Sequence, residues 1–219
     1  MLQSFFSDAT EFFPVLLQGV LTTVCITVAA LVIATVLGLI WALLRVSGIR
    51  PLANASRVLT NVIRGVPIIV LLFYMYFVIP EIGVSLTAFQ AGALGLGIAY
   101  SSYMAEVFRA GIDAVDIGQF EAAQSLGMSR VKLMRRVVLP QAFKIALPSY
   151  GNNVVMMLKD SSQTAVITVV ELSMQSKLIA SATFKSATIF TLVALMYLAM
   201  SLPMMYCIGQ LERRFGHRK

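Results

Sequence analysis

The chain has 219 residues, of which 58% are hydrophobic and only 12% are Asp, Glu, Lys or Arg, and its mean hydropathy is +0.85. Soluble domains carry about a quarter charged residues, and one of this size has no interior large enough for so much apolar surface, so a water-soluble globular domain is excluded and a membrane protein is expected. The net charge is +7, but the cations sit in the loops between apolar runs, a pattern of topology signals rather than of a nucleic-acid-binding patch.

The start, MLQSFFSDATEF, is acidic and lacks the basic opening of a signal peptide, and the apolar run behind it is too long for one. A crossing of the hydrocarbon takes about 20 residues and is helical, because backbone groups find no water there. In chain order, Pro14 to Leu44 carries no charge and forms the first predicted span. The second runs from about Val58 to Ile79, with Arg64 near one end, and the third from about Leu86 to Phe108. The fourth runs from about Val137 to Leu158, and the fifth from about Ala187 to Ile208. Between those two, Thr164 to Ala182 is interrupted by Glu171 and Lys177 and is expected to be an amphipathic or re-entrant helix.

Arg45, Arg50 and Arg57 flank the first loop, Arg130, Lys132, Arg135 and Arg136 fill the third, and Arg213, Arg214, Arg218 and Lys219 form the tail. With five spans these clusters share one side, and the excess of cations makes that side the cytoplasm. The expectation is an all-α membrane protein of about five transmembrane helices, a single domain over residues 1–219, with the N-terminus outside and the C-terminus cytoplasmic. Cys25 and Cys207 lie inside apolar runs and read as small packing residues, and His217 is the only histidine. Neither a disulfide framework nor a zinc or haem site is suggested, and no nucleophile–base pair points to an enzyme.

Between the third and fourth spans lies EAAQSLGMSRVKLMRRVVLP, a polar insert in a greasy chain. Ala122, Ala123 and Leu126 favour a short helix, and Gly127 can end it. Ser129 can cap a second helix from Arg130, with Val131, Met134 and Val138 on one face. Two short helices on a tight turn, at about 113–136, make a cytoplasmic knob able to dock into a groove of a soluble partner. On spacing alone, a solvated loop whose cations only set topology serves equally well, and Glu121 reads equally as a carboxylate favoured by the helix dipole.

Charges near the end of the fourth span raise a second possibility. Lys159 and Asp160 offer a cation and an anion to a zwitterion, and Ser161 and Ser162 add hydrogen-bonding groups. Lys159 lies about 22 Å along the helix from Lys144, beyond the midplane if Lys144 snorkels at the inner surface. The alternative is an interfacial ion pair closing a helix. On the third span Ser102 and Glu106 are four apart and share a face, so both can line a cavity. Otherwise Ser102 bonds its own backbone and Glu106 pairs with Arg109 or Arg64. Asn152 and Asn153 suit joints between helices, Gly92, Gly95 and Gly97 suit close helix packing, and Pro140 and Pro148 bend the fourth helix or mark its start.

Glu121-Ala122-Ala123, Gly127 and Leu139-Pro140 resemble the EAA loop of ABC-importer permeases. AYSSYMAEVFRAGIDAVDIGQFEAAQSLG, VVLPQAFKIALPSYGNNVVMMLKDSS and NVIRGVPIIVLLFY are similar to the polar amino-acid uptake branch, together covering about Asn61 to Ser162. That branch often has threonine where Ser161 stands and leucine where Gln163 stands. The resemblance implies a type I importer permease fold and an ATP-driven importer of polar amino acids in the inner membrane of a bacterium. It implies that Gln119, Glu121, Ala122, Ala123 and Gly127 couple to the ATPase, and it favours Lys159 and Asp160 as ligands. It also implies two ATP-binding subunits, a second permease subunit, identical or homologous, and an external amino-acid-binding protein. The chain has no GxxxxGK[ST] motif, so ATP and Mg are expected in the partner subunit and no cofactor in this one. An ATP-independent channel or ion-driven carrier accounts for the spans as well, but leaves the cytoplasmic knob without a role.

Overall fold

A computed structural model describes residues 2–215; His217, Arg218 and Lys219 of the expected basic tail lie outside the described residues. The chain is 89% helical, with no strand among the described residues. Helix α1 (Leu2–Val46) contains the first expected span, and α9 (Ser186–Phe215) the last. By length and composition these are, among the described residues, the two helices able to cross a membrane alone, over Ser7–Val46 and Ser186–Arg214, and up to four crossings result if each of two bent helix pairs counts as one.

The second expected span is not one helix. α2 (Arg50–Gly65) ends before Pro67, and α3 (Ile68–Phe73) leaves at 98° to it, continuing through a π turn (Tyr74–Val78) and a 3-10 turn (Ile79–Ile82). The proline ring disfavours the helical region for the residue before it, and Val66 accordingly adopts φ −99°, ψ 130°. Continuous apolar composition across the break had concealed it.

α4 (Ala88–Asp113) matches the third expected span, opened by a reciprocal capping box between Thr87 and Gln90. It is about 39 Å long, yet too polar to count as a span by composition. The reason is its position: more than half of its residues are buried inside the bundle, so it meets protein rather than lipid. Its expected close packing is present. A Cβ on Gly95 would stand 2.9 Å from Leu72 of α3, and one on Gly97 2.7 Å from Ile33 of α1.

After α5 (Ile117–Ser125) and α6 (Arg130–Leu133), a π turn (Met134–Val138) leads into α7 (Leu139–Asp160). Pro140 falls in the first turn of α7, and Pro148 lies inside it. Asn153 bonds back to the Ser149 carbonyl of its own helix at 2.9 Å and is no joint between helices. The segment expected as one amphipathic or re-entrant helix from Thr164 to Ala182 is α-helical only in its second part. A 3-10 stretch (Ser161–Ile167) and Thr168 at φ +67° precede α8 (Leu172–Thr183), and the α7–α8 pair is bent by 52°. α8 is about 18 Å long, too short to cross the hydrocarbon.

Glu171 does not interrupt that helix but caps it. Its buried carboxylate accepts from the amides of Ser173 and Met174 and from the Tyr197 hydroxyl, each at 2.8 Å. Where α8 meets α1, a Cβ on Gly19 would stand 2.7 Å from the Leu172 Cα. Backbone cannot yield there as a side-chain tip would. Gly19→Val is therefore expected to cost about 1–3 kcal/mol, read as a lower unfolding midpoint of the purified protein.

Exposed apolar residues such as Leu21, Val28, Val32 and Val36 run along α1, as a lipid-facing surface requires. Cys25 and Cys207 are both free and exposed rather than packed inside. No group of residues suited to a metal occurs among the described residues.

Candidate functional sites: a rigid elbow and a mid-bundle carboxylate

The elbow forms from local rules. Asp116 caps α5 by accepting from the Gly118 amide at 2.7 Å. At the other end, Gly127 (φ +67°) donates to the Gln124 carbonyl at 2.8 Å, and Met128 donates to the Ala123 carbonyl at 3.1 Å. These two bonds make a Schellman motif, which needs the left-handed conformation glycine adopts freely.

The second helix starts after Ser129 as expected, but the serine side chain makes no capping bond. The buried face also differs from the expected one. Val131 is 77% exposed, whereas Leu133 and Val138 are buried. The π turn supplies the reason: its wider winding aligns residues five apart, so Val138 is buried as expected but Leu133, rather than Val131, is buried with it.

The elbow's two faces differ in kind. Ala123 is buried in a small core with Ile112, Val115, Leu133, Val138 and Ala142, so it packs the elbow instead of facing outward. Glu121, Ala122 and Gln119 are exposed, as are Ile117 (70%) and Leu126 (82%). Gln119 accepts from Gln141 of α7 at 3.2 Å. Arg130 donates to the Val46 carbonyl at 3.0 Å, closing the C-terminus of α1. The elbow is thereby braced against both α1 and α7.

The second constellation lies at mid-height. Asp160 accepts from the Tyr100 hydroxyl at 2.7 Å, and Tyr100 sits at the middle of α4. Lys159 is exposed, and among the described residues it forms no ion pair with Asp160 or any other carboxylate. The interfacial ion pair therefore does not form. Ser162 is half-buried and donates to the Lys159 carbonyl; Ser161 is fully buried and donates to the Leu158 carbonyl.

Ser102 and Glu106 do not share the expected cavity with this group. Ser102 is buried and donates to the Ala99 carbonyl of its own helix at 2.7 Å. Glu106 is held near the C-terminal end of α4 by Arg45, Arg64 and Arg109, and Arg109 also reaches Asp113. Tyr100 escaped the sequence reading as a partner of Asp160 although it stood in the polar stretch Tyr100-Ser101-Ser102-Tyr103, because spacing along one helix says nothing of what a hydroxyl meets on another.

Residues 34–217 match the family described as the binding-protein-dependent transport system inner membrane component. The chain belongs to this family. The permease is 40% identical over 194 residues to the probable amino-acid ABC transporter permease protein y4tG of Sinorhizobium fredii, covering 89% of this chain and 84% of that one. It is 35% identical to the probable glutamine ABC transporter permease protein GlnM of Bacillus subtilis, covering 92% of this chain and 94% of that one. A crystal structure of an amino acid ABC transporter with histidines superposes with a TM-score of 0.88 at 37% identity, covering 95% of this chain and 98% of that one. The MetNI methionine transporter in an inward-facing conformation shares the fold alone, with a TM-score of 0.82 at 19% identity. This chain is thus the membrane-embedded permease subunit of an amino-acid ABC transporter, not its ATPase.

Proposed function

We propose that this permease carries polar amino acids inward across the inner membrane of a bacterium, driven by ATP bound with Mg on a separate subunit. Five crossings, with the N-terminus outside, keep every basic cluster on the cytoplasmic side. Two permease subunits, identical or homologous, frame the path, two ATP-binding subunits dock on the elbows, and an external binding protein delivers the substrate.

The observation that carries this reading is the two-faced elbow. A loop that only set topology would need no Schellman turn, no buried Ala123 and no braces to α1 and α7. A rigid knob presenting Glu121, Ala122, Gln119 and Leu126 suits a contact through which a motor pushes, and α4 and α7 on either side of it transmit the push. Gly127 and Ala123 serve by shaping the knob.

The substrate contacts proposed within the path are Lys159, Asp160 and Ser162, whose side chains are accessible, with Tyr100 orienting the carboxylate. The unpaired ammonium of Lys159 suits an amino-acid carboxylate, and Asp160 suits an amino group.

Co-expression with its neighbouring ATPase and reconstitution in proteoliposomes tests the reading. Uptake of a polar amino acid is expected only with ATP and the ATPase present. Uptake that persists without either would show a channel or an ion-driven carrier instead.

A further inference from the structure

α2 lacks a role in either constellation, and its surface is unusual. Arg50, Arg57 and Arg64 recur every seven residues and so share one face. Leu52, Val58, Leu59 and Val62 form an adjoining stripe, between 41% and 62% exposed. The buried side is polar: Ser56 donates to the Trp41 carbonyl at 2.9 Å, and Thr60 meets Arg45. The helix therefore touches the bundle through small hydroxyl residues and turns its apolar side chains outward.

Two further features give that surface a direction. The 98° bend sets α2 across the apolar segment that follows it, and Arg64 reaches Glu106 near the cytoplasmic end of α4. A helix lying across the bundle at that level runs along the membrane surface, where an apolar stripe meets the acyl region and cations meet head groups.

Behind α2 is a cavity of about 410 Å³ lined by Arg45, Arg57, Asn61, Glu106, Arg109 and Asp113. Its three arginines outnumber its two carboxylates. Arg57 makes no ion pair among the described residues, and the Arg45 side chain is only 7% exposed, with a buried Nε that has no acceptor.

We infer that α2 is an in-plane interfacial helix and that this cavity seats the phosphate of an anionic phospholipid of the cytoplasmic leaflet, with Arg57 as its principal contact. The acyl chains continue along Val58 and Val62, joining the lipid-facing surface of the bundle. The inference rests on the orientation given under the proposed function.

The test uses the permease assembled with its co-expressed ATPase in nanodiscs of phosphatidylcholine, with or without phosphatidylglycerol, and measures co-purifying lipid by mass spectrometry. The wild type is expected to retain phosphatidylglycerol preferentially, and Arg57→Gln to lower that preference about five-fold, the ratio equivalent to about 1 kcal/mol per basic residue at an anionic surface. Arg57→Lys is expected to keep most of it. No preference in the wild type, or an unchanged preference in Arg57→Gln, overturns the proposal.

Val62→Cys, in a background of Cys25→Ser and Cys207→Ser, is expected to carry a fluorophore quenched by spin labels on the upper acyl carbons. Disulfide cross-linking of that cysteine to a second copy would show a subunit interface and would also overturn the proposal. Asn54→Cys reports on orientation separately: labelling from the external side sinks the functional reading itself, whereas cytoplasmic labelling with no lipid preference sinks only the lipid site.

Discussion

Asp160→Ala is expected to lower amino-acid transport and substrate-stimulated ATP hydrolysis at least ten-fold, while leaving the protein inserted and assembled. A hydrogen bond to a charged group is worth about 1.5–3 kcal/mol, which corresponds to about ten- to a hundred-fold in binding. The carboxylate accepts from the Tyr100 hydroxyl at half the height of α4, which among the described residues is its one side-chain bond, and it has capacity for others. Asp160→Asn separates charge from packing. An amide oxygen still accepts from Tyr100, so a structural role would be rescued, while a role in holding an ammonium group would stay lost. Tyr100→Phe is expected to have a smaller effect, because it frees the carboxylate without removing it. Lys159→Ala is expected to fall near Asp160→Ala, since nothing among the described residues pairs with that ammonium. Wild-type transport in both alanine variants would remove the ligand pair.

The other large effect is expected at the elbow. Gly127→Val should reduce coupled ATP hydrolysis at least ten-fold and weaken co-purification of the ATPase, with insertion intact. Beyond its own chain neighbours, no atom of the described residues lies within 4 Å of a Cβ at this position, so the cost is conformational rather than steric. Holding a non-glycine residue left-handed costs roughly 1–2 kcal/mol, more for a β-branched one, and the two closing bonds from Gly127 and Met128 are lost if the turn opens. Gly127→Asn is expected to retain most coupling, because asparagine tolerates that conformation. Glu121→Lys probes the exposed face instead: the turn stays closed and only the presented charge reverses. If Gly127→Val and Glu121→Lys both transport normally, the docking role of the elbow is refuted.

The elbow was legible in the sequence because its rules act over a few residues. Alanines favour helix, glycine reverses the chain, and a proline marks the next helix start. The apolar runs likewise revealed α1, α4, α7 and α9, since hydrocarbon demands length and composition whatever the neighbours are. Pro67 left a readable sign of the break between α2 and α3, but uninterrupted apolar composition outweighed it.

Other features depended on the assembled bundle. The bond between Tyr100 and Asp160 joins residues 60 apart, and the pairing of Arg45 with Glu106 joins residues 61 apart. Helical periodicity assigns each side chain to a face without naming what that face meets. The π turn shifted the buried register of the elbow from Val131 to Leu133, and packing of α8 on α1 buried Glu171 as a cap. Composition and local spacing determined that the chain is a helical membrane protein with a polar elbow. Which charges are neutralised and which stay open was decided only by tertiary packing, because a polar group's state depends on the partner the fold brings to it.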